Sequence, residues 1–202
     1  MMLDIPLMTY VASLSVTPGP NNLMLAASGV NFGFRRTLPH MLGISIGHAV
    51  QVALVALALS WIMQWLEAVR LPLMVVGCSY LLWLAWKQAH ADRPDHRGSQ
   101  QPLGFLGAAA FQWVNPKAWM MVLNVAILFL PADSHAGDAL LLGLFCAVVN
   151  FPCIALWAWT GDALRRWMHQ PWVLRSFNYS MALLLAVTAV YLLVDEWRHV
   201  MA

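Results

Sequence analysis

The chain has 202 residues, of which 61% are hydrophobic and only 10% are charged. A soluble domain carries about a quarter charged residues, so this composition indicates an integral membrane protein whose main partner is the lipid bilayer. The formal net charge of +2 is too small to indicate a nucleic-acid partner, and no run of lysine and arginine resembles a basic arm.

Six segments are predicted to cross the membrane as helices, since each offers about 20 mostly apolar residues. Short polar connections such as "NFGFRRTLP" and "EAVR" separate them. We therefore expect an all-α, polytopic membrane protein in which residues 1–202 form a single transmembrane domain. The six predicted spans are 3–29, 38–65, 69–88, 103–130, 138–160 and 173–194.

The first and fourth spans each contain a sequence that breaks helices. Pro18-Gly19-Pro20 interrupts the first span, and Asn115-Pro116-Lys117 lies at a matching depth in the fourth. Three spans separate the two breaks, so the broken spans run in opposite directions. The pattern predicts two inverted three-helix repeats, 1–95 and 96–202, with broken helices 1 and 4, and such paired breaks indicate a binding site at the membrane midplane. A simple proline kink is the alternative.

Each break offers residues that begin a new helix. Thr17-Pro18, Gly19-Pro20 and Asn115-Pro116 all fit a capping residue followed by proline at the first helical position. The first turn of such a half-helix presents free N–H groups and the positive end of its dipole, which bind carboxylate or phosphate. Asn21 and Asn22 add side-chain amides that donate and accept hydrogen bonds.

Lys117 is the one lysine or arginine placed deep inside a predicted span, where ionisable residues are candidates for functional sites. The sequence offers no carboxylate at the same depth. Lys117 therefore faces half-helix carbonyls or water, receives an anionic group from a ligand, or extends toward the interface. The candidate substrate-binding residues are Pro18, Gly19, Pro20, Asn21, Asn22, Asn115, Pro116 and Lys117.

Further polar residues in the spans are candidates for ion coupling or for lining a cavity. His48 and Gln51 share a face of the second span, and Asn150 lies in the fifth. Each also fits a packing role, as does Gln112, which fits a cavity wall or a contact between helices. The loop containing His90 and Asp92 is more typical of a solvated loop than of a metal site, so we expect no metal and no cofactor.

The basic residues indicate the orientation of the chain. Most of them fall at the first, third and fifth connections, which places these connections in the cytoplasm and both termini outside. These residues are Arg35, Arg36, Lys87, Arg93, Arg97, Arg165, Arg166 and Arg175, against Arg70 and Arg198 on the other side.

Several of these motifs together resemble the LysE/RhtB family of bacterial amino-acid exporters. They are "TPGPNN", the glycines Gly29, Gly33, Gly43 and Gly47, "YLLWLAWK" and "FQWVNPK". "TPGPNN" and "WLAWK" are most similar to the cysteine and O-acetylserine branch. The resemblance implies an inner-membrane secondary transporter that exports amino acids, with protons as the coupling ion. In the orientation given by the basic residues, both termini are then periplasmic. The oligomeric state is left open, a homo-oligomer included.

A membrane enzyme and an assembly subunit are the competing function classes. The sequence contains no HExxH, GxSxG or P-loop motif, and no paired carboxylates inside a span, so no enzymatic activity is expected. Ser13, Ser15 and Ser45 have only His48 as a conceivable base.

The orientation is tested by labelling cysteines with a membrane-impermeant thiol reagent in intact cells. In a background without Cys78, Cys146 and Cys153, a cysteine placed between Arg93 and Arg97 should be protected, and one at Ser134 should react. The opposite labelling pattern would show that the chain is inserted the other way round.

Overall fold

The computed structural model describes residues 5–90, 101–130, 134–167 and 170–201, and within these ranges all regular secondary structure is helical. Among the described residues, three helical segments are long and apolar enough, by length and composition, to cross a membrane: Phe34–Leu57, Ala136–Arg165 and Pro171–Tyr191. The helices are α1 (Ile5–Val16), α2 (Pro20–Phe32), α3 (Phe34–Leu57), α4 (Leu59–Ala89), α5 (Phe105–Phe111), α6 (Pro116–Phe129), α7 (Ala136–Arg165) and α8 (Pro171–Met201).

Both predicted helix breaks are confirmed by the helix ends. α1 stops at Val16 and α2 starts at Pro20, while α5 stops at Phe111 and α6 starts at Pro116. The four helices have 12, 13, 7 and 14 residues, and each is shorter than a spanning helix. The first and fourth predicted spans therefore each consist of two short helices joined by non-helical backbone.

The predicted boundary between the second and third spans is wrong. The spans 38–65 and 69–88 placed the connection beside "EAVR", but α3 ends at Leu57, α4 begins at Leu59, and the turn lies at Ala58. The residues from Glu67 to Arg70 continue α4. They contain neither glycine nor proline, and alanine, glutamate and arginine are good helix formers, so charge alone does not end the helix there.

The first connection is also shorter than predicted. Only Gly33 interrupts the helix within "NFGFRRTLP", and α3 carries Arg35 and Arg36 in its first turn. Gly33 has a φ of 82°, in the left-handed region that glycine adopts without a steric penalty. A single glycine therefore turns the chain where the polar composition suggested a loop.

The helices pack in pairs that bring distant parts of the chain together. α3 packs against α7 and α4 packs against α8, while α2 lies along α7 and α5 lies along α3. The backbones of α2 and α7 meet at two glycines: a side chain at Gly29 would collide with the carbonyl of Ala158, and one at Gly161 would collide with that of Ala26. These contacts fix α2 against the second half of α7.

Two apolar clusters lie at different levels of the bundle. The first combines α1 and α6 with the end of α3 and the first half of α7, and includes Leu7, Val52 and Val122. The second combines α2 and α5 with the start of α3 and the second half of α7, and includes Leu25 and Ile44. We call them the α1–α6 cluster and the α2–α5 cluster.

Residues of the predicted cytoplasmic connections lie close to one another. Asp162 and Arg165 lie beside Gly33, and Arg35 lines a surface groove together with Gln101. The first, third and fifth connections are therefore at one end of the bundle, as the distribution of basic residues requires. Arg93 and Arg97 lie outside the described residues, and the orientation itself stays a prediction.

The glycine contact between α2 and α7 predicts a loss of stability. Gly29→Ala should lower the free energy of unfolding by about 1–3 kcal/mol, because the added methyl group meets a backbone carbonyl that cannot move aside. Thermal unfolding of the purified protein measures this. Gly137→Ala is the matched control, since Gly137 is also helical but has nothing within 4 Å of a new side chain. An equal melting temperature for both variants would contradict the close contact.

Candidate functional site

The two helix breaks meet at one cavity with a volume of about 40 Å³. Its polar lining comes from α1, α2, α3, α6, α7 and the second break, and it contains no carboxylate among the described residues. The lining residues are Leu14, Ser15, Gly19, Pro20, Asn21, Asn22, His48, Gln112, Asn115, Lys117, Ala118, Met121, Asn150 and Ile154. Most of the predicted site residues therefore share one cavity, although they come from distant parts of the chain.

Lys117 joins the two breaks directly. Its Nζ donates hydrogen bonds to the carbonyl oxygen of Thr17 at 2.8 Å, to Thr17 Oγ1 at 2.8 Å and to the carbonyl oxygen of Pro18 at 3.0 Å. An ammonium has three donors, and all three are used. The sequence left three interpretations open for Lys117. The structure has the first of them, in which Lys117 faces carbonyl groups at a helix break.

The helix starts after the two breaks are built differently. Asn115 Oδ1 accepts the backbone N–H of Lys117 at 3.1 Å and Pro116 is the first residue of α6, so the predicted cap is confirmed. Gly19 and Pro20 begin α2 without a side-chain cap. Thr17 was predicted to cap the start of a helix, and this is wrong. Its hydroxyl instead donates to the carbonyl of Leu14 at 2.7 Å, at the end of α1.

Other side chains satisfy the remaining carbonyls at the end of α1. Asn22 Nδ2 donates to the carbonyls of Ser15 and Thr17, both at 2.8 Å. Trp157 Nε1, from α7, donates to the carbonyl of Val16 at 3.1 Å. Asn22 was predicted to contact a ligand, yet its amide nitrogen is used by the protein itself. The sequence did not identify Trp157 as a donor to this break, because the sequence does not show which carbonyl an indole N–H will meet.

Asn150 links three helices at the cavity wall. Its Nδ2 donates to Ser15 Oγ at 2.9 Å, and its Oδ1 accepts from Ser45 Oγ at 3.1 Å. The network therefore ties α1 and α3 to α7. Ser15 was not predicted as a site residue, and its position two residues before the first break is the only signal in the sequence.

Gln112 makes the second set of contacts across the cavity. Its Oε1 accepts from Asn21 Nδ2 at 2.7 Å and its Nε2 donates to the carbonyl of Ile44 at 3.3 Å. Gln51 Nε2 donates to the Gln112 carbonyl at 3.2 Å, but Gln51 does not line the cavity. Gln51 thus supports Gln112, which both lines the cavity and links helices, and its predicted role in coupling stays a prediction.

Two buried atoms of lining residues, Asn21 Oδ1 and His48 Nε2, have no hydrogen-bond partner within the described parts of the chain. Such atoms are rare in folded proteins and offer a ligand its hydrogen bonds. Pro18 and Pro116 do not line the cavity. Pro18 contributes its carbonyl to Lys117, and Pro116 is buried beside Gly77 of α4.

The described residues contain no group of three or more histidine, cysteine or acidic side chains placed to hold a metal ion. His90 lies at the end of α4, where its Nδ1 is 2.8 Å from the carbonyl oxygen of Trp86. The rest of the loop considered for metal binding, with Asp92, Asp95 and His96, lies outside the described residues.

The cap at the start of α6 predicts a measurable contribution to stability. Asn115→Ala should lower the free energy of unfolding by about 1 kcal/mol, because the backbone N–H of Lys117 loses its acceptor. Asn115→Ser keeps a side-chain oxygen at the cap and should lose much less. Thermal unfolding of the purified variants checks this, and an equal loss in both would mean that Asn115 does not act as a cap.

Comparison with known proteins covers nearly the whole chain. The family model described as LysE type translocator matches residues 12–196. A cysteine/O-acetylserine efflux protein of Salmonella typhimurium (strain LT2) is 30% identical over 189 residues, which are 90% of this chain and 93% of the relative. Proteins of the same name from Klebsiella pneumoniae and Escherichia coli (strain K12) are 29% and 28% identical, covering 93% and 90% of this chain and 95% and 93% of theirs. No solved structure matches significantly. The chain therefore belongs to the LysE-type translocator family.

Proposed function

We propose that the protein exports small amino acids or close derivatives, of the cysteine and O-acetylserine class, from the bacterial cytoplasm. The observation that carries this proposal is the cavity at which both helix breaks meet, with Lys117 as its charged group. The relatives named as cysteine/O-acetylserine efflux proteins supply the substrate class. The cavity lies where paired breaks in a transporter of this kind would bind substrate.

In the proposed site, Lys117 and the first turns of α2 and α6 bind the substrate carboxylate. These turns begin at Pro20 and Pro116, and apart from the N–H of Lys117, which Asn115 already accepts, the N–H groups of their first turns have no helical acceptor. Asn21 Oδ1 and His48 Nε2, which lack partners among the described residues, are available to a small polar side chain. The lining has no carboxylate within the described chain, so a lysine or arginine substrate finds no counter-ion.

The proposed architecture is a six-span bundle of two inverted three-helix repeats in the inner membrane, with both termini in the periplasm. The pairing of α3 with α7 and of α4 with α8 supports it, because an inverted repeat relates span two to span five and span three to span six. We propose protons as the coupling ion. His48 and Lys117 are the titratable side chains that line the cavity, and both are candidates to carry the proton.

Transport accounts for the site better than catalysis does. Ser45 Oγ donates its proton to Asn150 Oδ1, and Ser15 Oγ is not hydrogen-bonded to His48 Nε2, which has no partner among the described residues, so neither serine is paired with that nitrogen as a base. Membership of a translocator family also favours transport over an enzyme or an assembly subunit.

Efflux from proteoliposomes tests the proposal. Vesicles containing the purified protein should release preloaded cysteine and O-acetylserine faster than lysine. A proton gradient should accelerate this release, and dissipating the gradient should remove the acceleration.

Lys117→Met should reduce cysteine and O-acetylserine efflux by roughly tenfold or more, because the carboxylate loses a charged donor. Lys117→Arg should bind substrate but transport slowly, since the guanidinium is larger and does not deprotonate.

Gly137→Ala is the control for reconstitution, since this position is distant from the cavity lining and has free space around it. Full efflux activity in the methionine variant would remove Lys117 from the site. Equal efflux of lysine and O-acetylserine by the wild type would contradict the proposed substrate class.

A further inference from the structure

We propose that the two carbonyl oxygens of Thr17 and Pro18, together with Thr17 Oγ1, form a binding site for a primary ammonium group. Lys117 occupies this site when the cavity is empty, and the α-ammonium of the amino acid occupies it when the cavity is loaded. We call these three oxygens the ammonium cradle. The second half of the inference rests on the proposed export function, whereas the first half stands on the contacts alone.

The geometry of the ammonium cradle fits a cation with three donors. The three oxygens lie 2.8, 2.8 and 3.0 Å from Lys117 Nζ, which is the range of charge-assisted N–H···O hydrogen bonds. Carbonyl and hydroxyl oxygens carry no net charge, so they hold an ammonium without neutralising it. The cradle is therefore suited to a cation that is exchanged rather than locked in an ion pair.

The oxygens are held in place by other parts of the protein. Thr17 Oγ1 donates to the carbonyl of Leu14, which directs its lone pairs toward the ammonium. The Thr17 carbonyl also accepts from Asn22 Nδ2, which leaves its second lone pair for Lys117. Because these contacts do not involve Lys117, the cradle should keep its shape when the lysine leaves.

The ammonium cradle can be reached by a second ammonium group. The absence of a side chain at Gly19 leaves room for the lysine stem, since a Cβ there would lie 2.7 Å from Lys117 Cδ. Thr17 and Pro18 are exposed and Lys117 is only half-buried, so another ammonium can reach the oxygens. Carbonyls freed by the departure of Lys117 would be tolerated at a helix break only beside protein or water, so the exchange requires the cradle to face an aqueous opening.

An amino acid offers the groups that such an exchange needs. Its carboxylate attracts Lys117 away from the cradle, and its α-ammonium, on the adjacent carbon, takes the three oxygens that Lys117 releases. The carboxylate then lies between two ammonium groups, and no donor or acceptor of the cradle is left without a partner. Lys117 thus acts in the empty protein as an internal substitute for the substrate ammonium.

Amine binding to purified full-length protein tests the cradle without transport. Lys117→Met keeps most of the stem but removes the nitrogen, so methylammonium should raise its melting temperature in a saturable manner at constant ionic strength. Wild type should not respond, because its own ammonium fills the site. Tetramethylammonium, which has no N–H donor, should have no effect on either protein.

A second substitution identifies the oxygens. Thr17→Val in the Lys117→Met background should raise the half-saturating methylammonium concentration roughly tenfold, because one hydrogen bond to a charged group is lost. Thr17→Ser should restore the affinity. Lys117→Ala provides an independent variant, and there propylammonium should bind more tightly than methylammonium, because its alkyl chain fills the space of the missing stem.

The cradle is contradicted if neither variant at Lys117 shows saturable amine binding, or if wild type responds equally. It is also contradicted if Thr17→Val leaves the affinity unchanged. These outcomes are separate from the test of export. Amine binding by the variants without amino-acid efflux by wild type would remove the proposed function and keep the cradle, while efflux without amine binding would do the reverse.

Discussion

The structure depends on how the carbonyl groups at the end of α1 find donors. In a continuous helix, residue 18 would donate to the Leu14 carbonyl and residue 20 to the Val16 carbonyl, but both positions are proline and have no N–H. Thr17 Oγ1 replaces the first donor and Trp157 Nε1 replaces the second. Asn22 donates to the carbonyls of Ser15 and Thr17, and Lys117 donates to those of Thr17 and Pro18. Inside a bilayer only protein groups or the water of a cavity can take the place of a missing donor, so these carbonyls need such partners.

The donors that complete this pairing come from α2, α6 and α7, so the first break holds three other helices around it. Lys117 reaches the break only because Asn115 starts α6 at that point, and Asn150 reaches Ser15 only because α7 lies alongside. The cavity therefore lies where the donors that pair the carbonyls at the end of α1 meet the start of α6. The polar residues of the cavity serve the fold first, and Asn21 Oδ1 and His48 Nε2 are the buried lining atoms that it leaves without partners among the described residues.

The sequence predicted those features that depend on local backbone chemistry. Proline and asparagine at fixed spacing located both breaks and the cap at Asn115, because these residues act on their own neighbours. The turn at Ala58 was missed, since no residue there forbids a helix, and only the tertiary structure shows that α3 packs against α7 while α4 packs against α8. The partners of Lys117 were not predicted uniquely for a different reason. Every residue has a carbonyl, so the sequence cannot show which carbonyls a distant lysine will meet, whereas it does show that no carboxylate shares its depth.

The two apolar clusters explain how a cavity this small can serve the proposed export. A volume of about 40 Å³ holds only a few waters, so an amino acid enters only if the helices move apart. Met121 of the α1–α6 cluster and Ile154 of the α2–α5 cluster both line the cavity, which places it between the clusters. Because the breaks uncouple α1 from α2 and α6 from α5, one cluster can loosen while the glycine contacts of α2 with α7 keep the other closed. In the proposed export, non-helical backbone at the two breaks would allow the cavity to open toward one end of the bundle at a time.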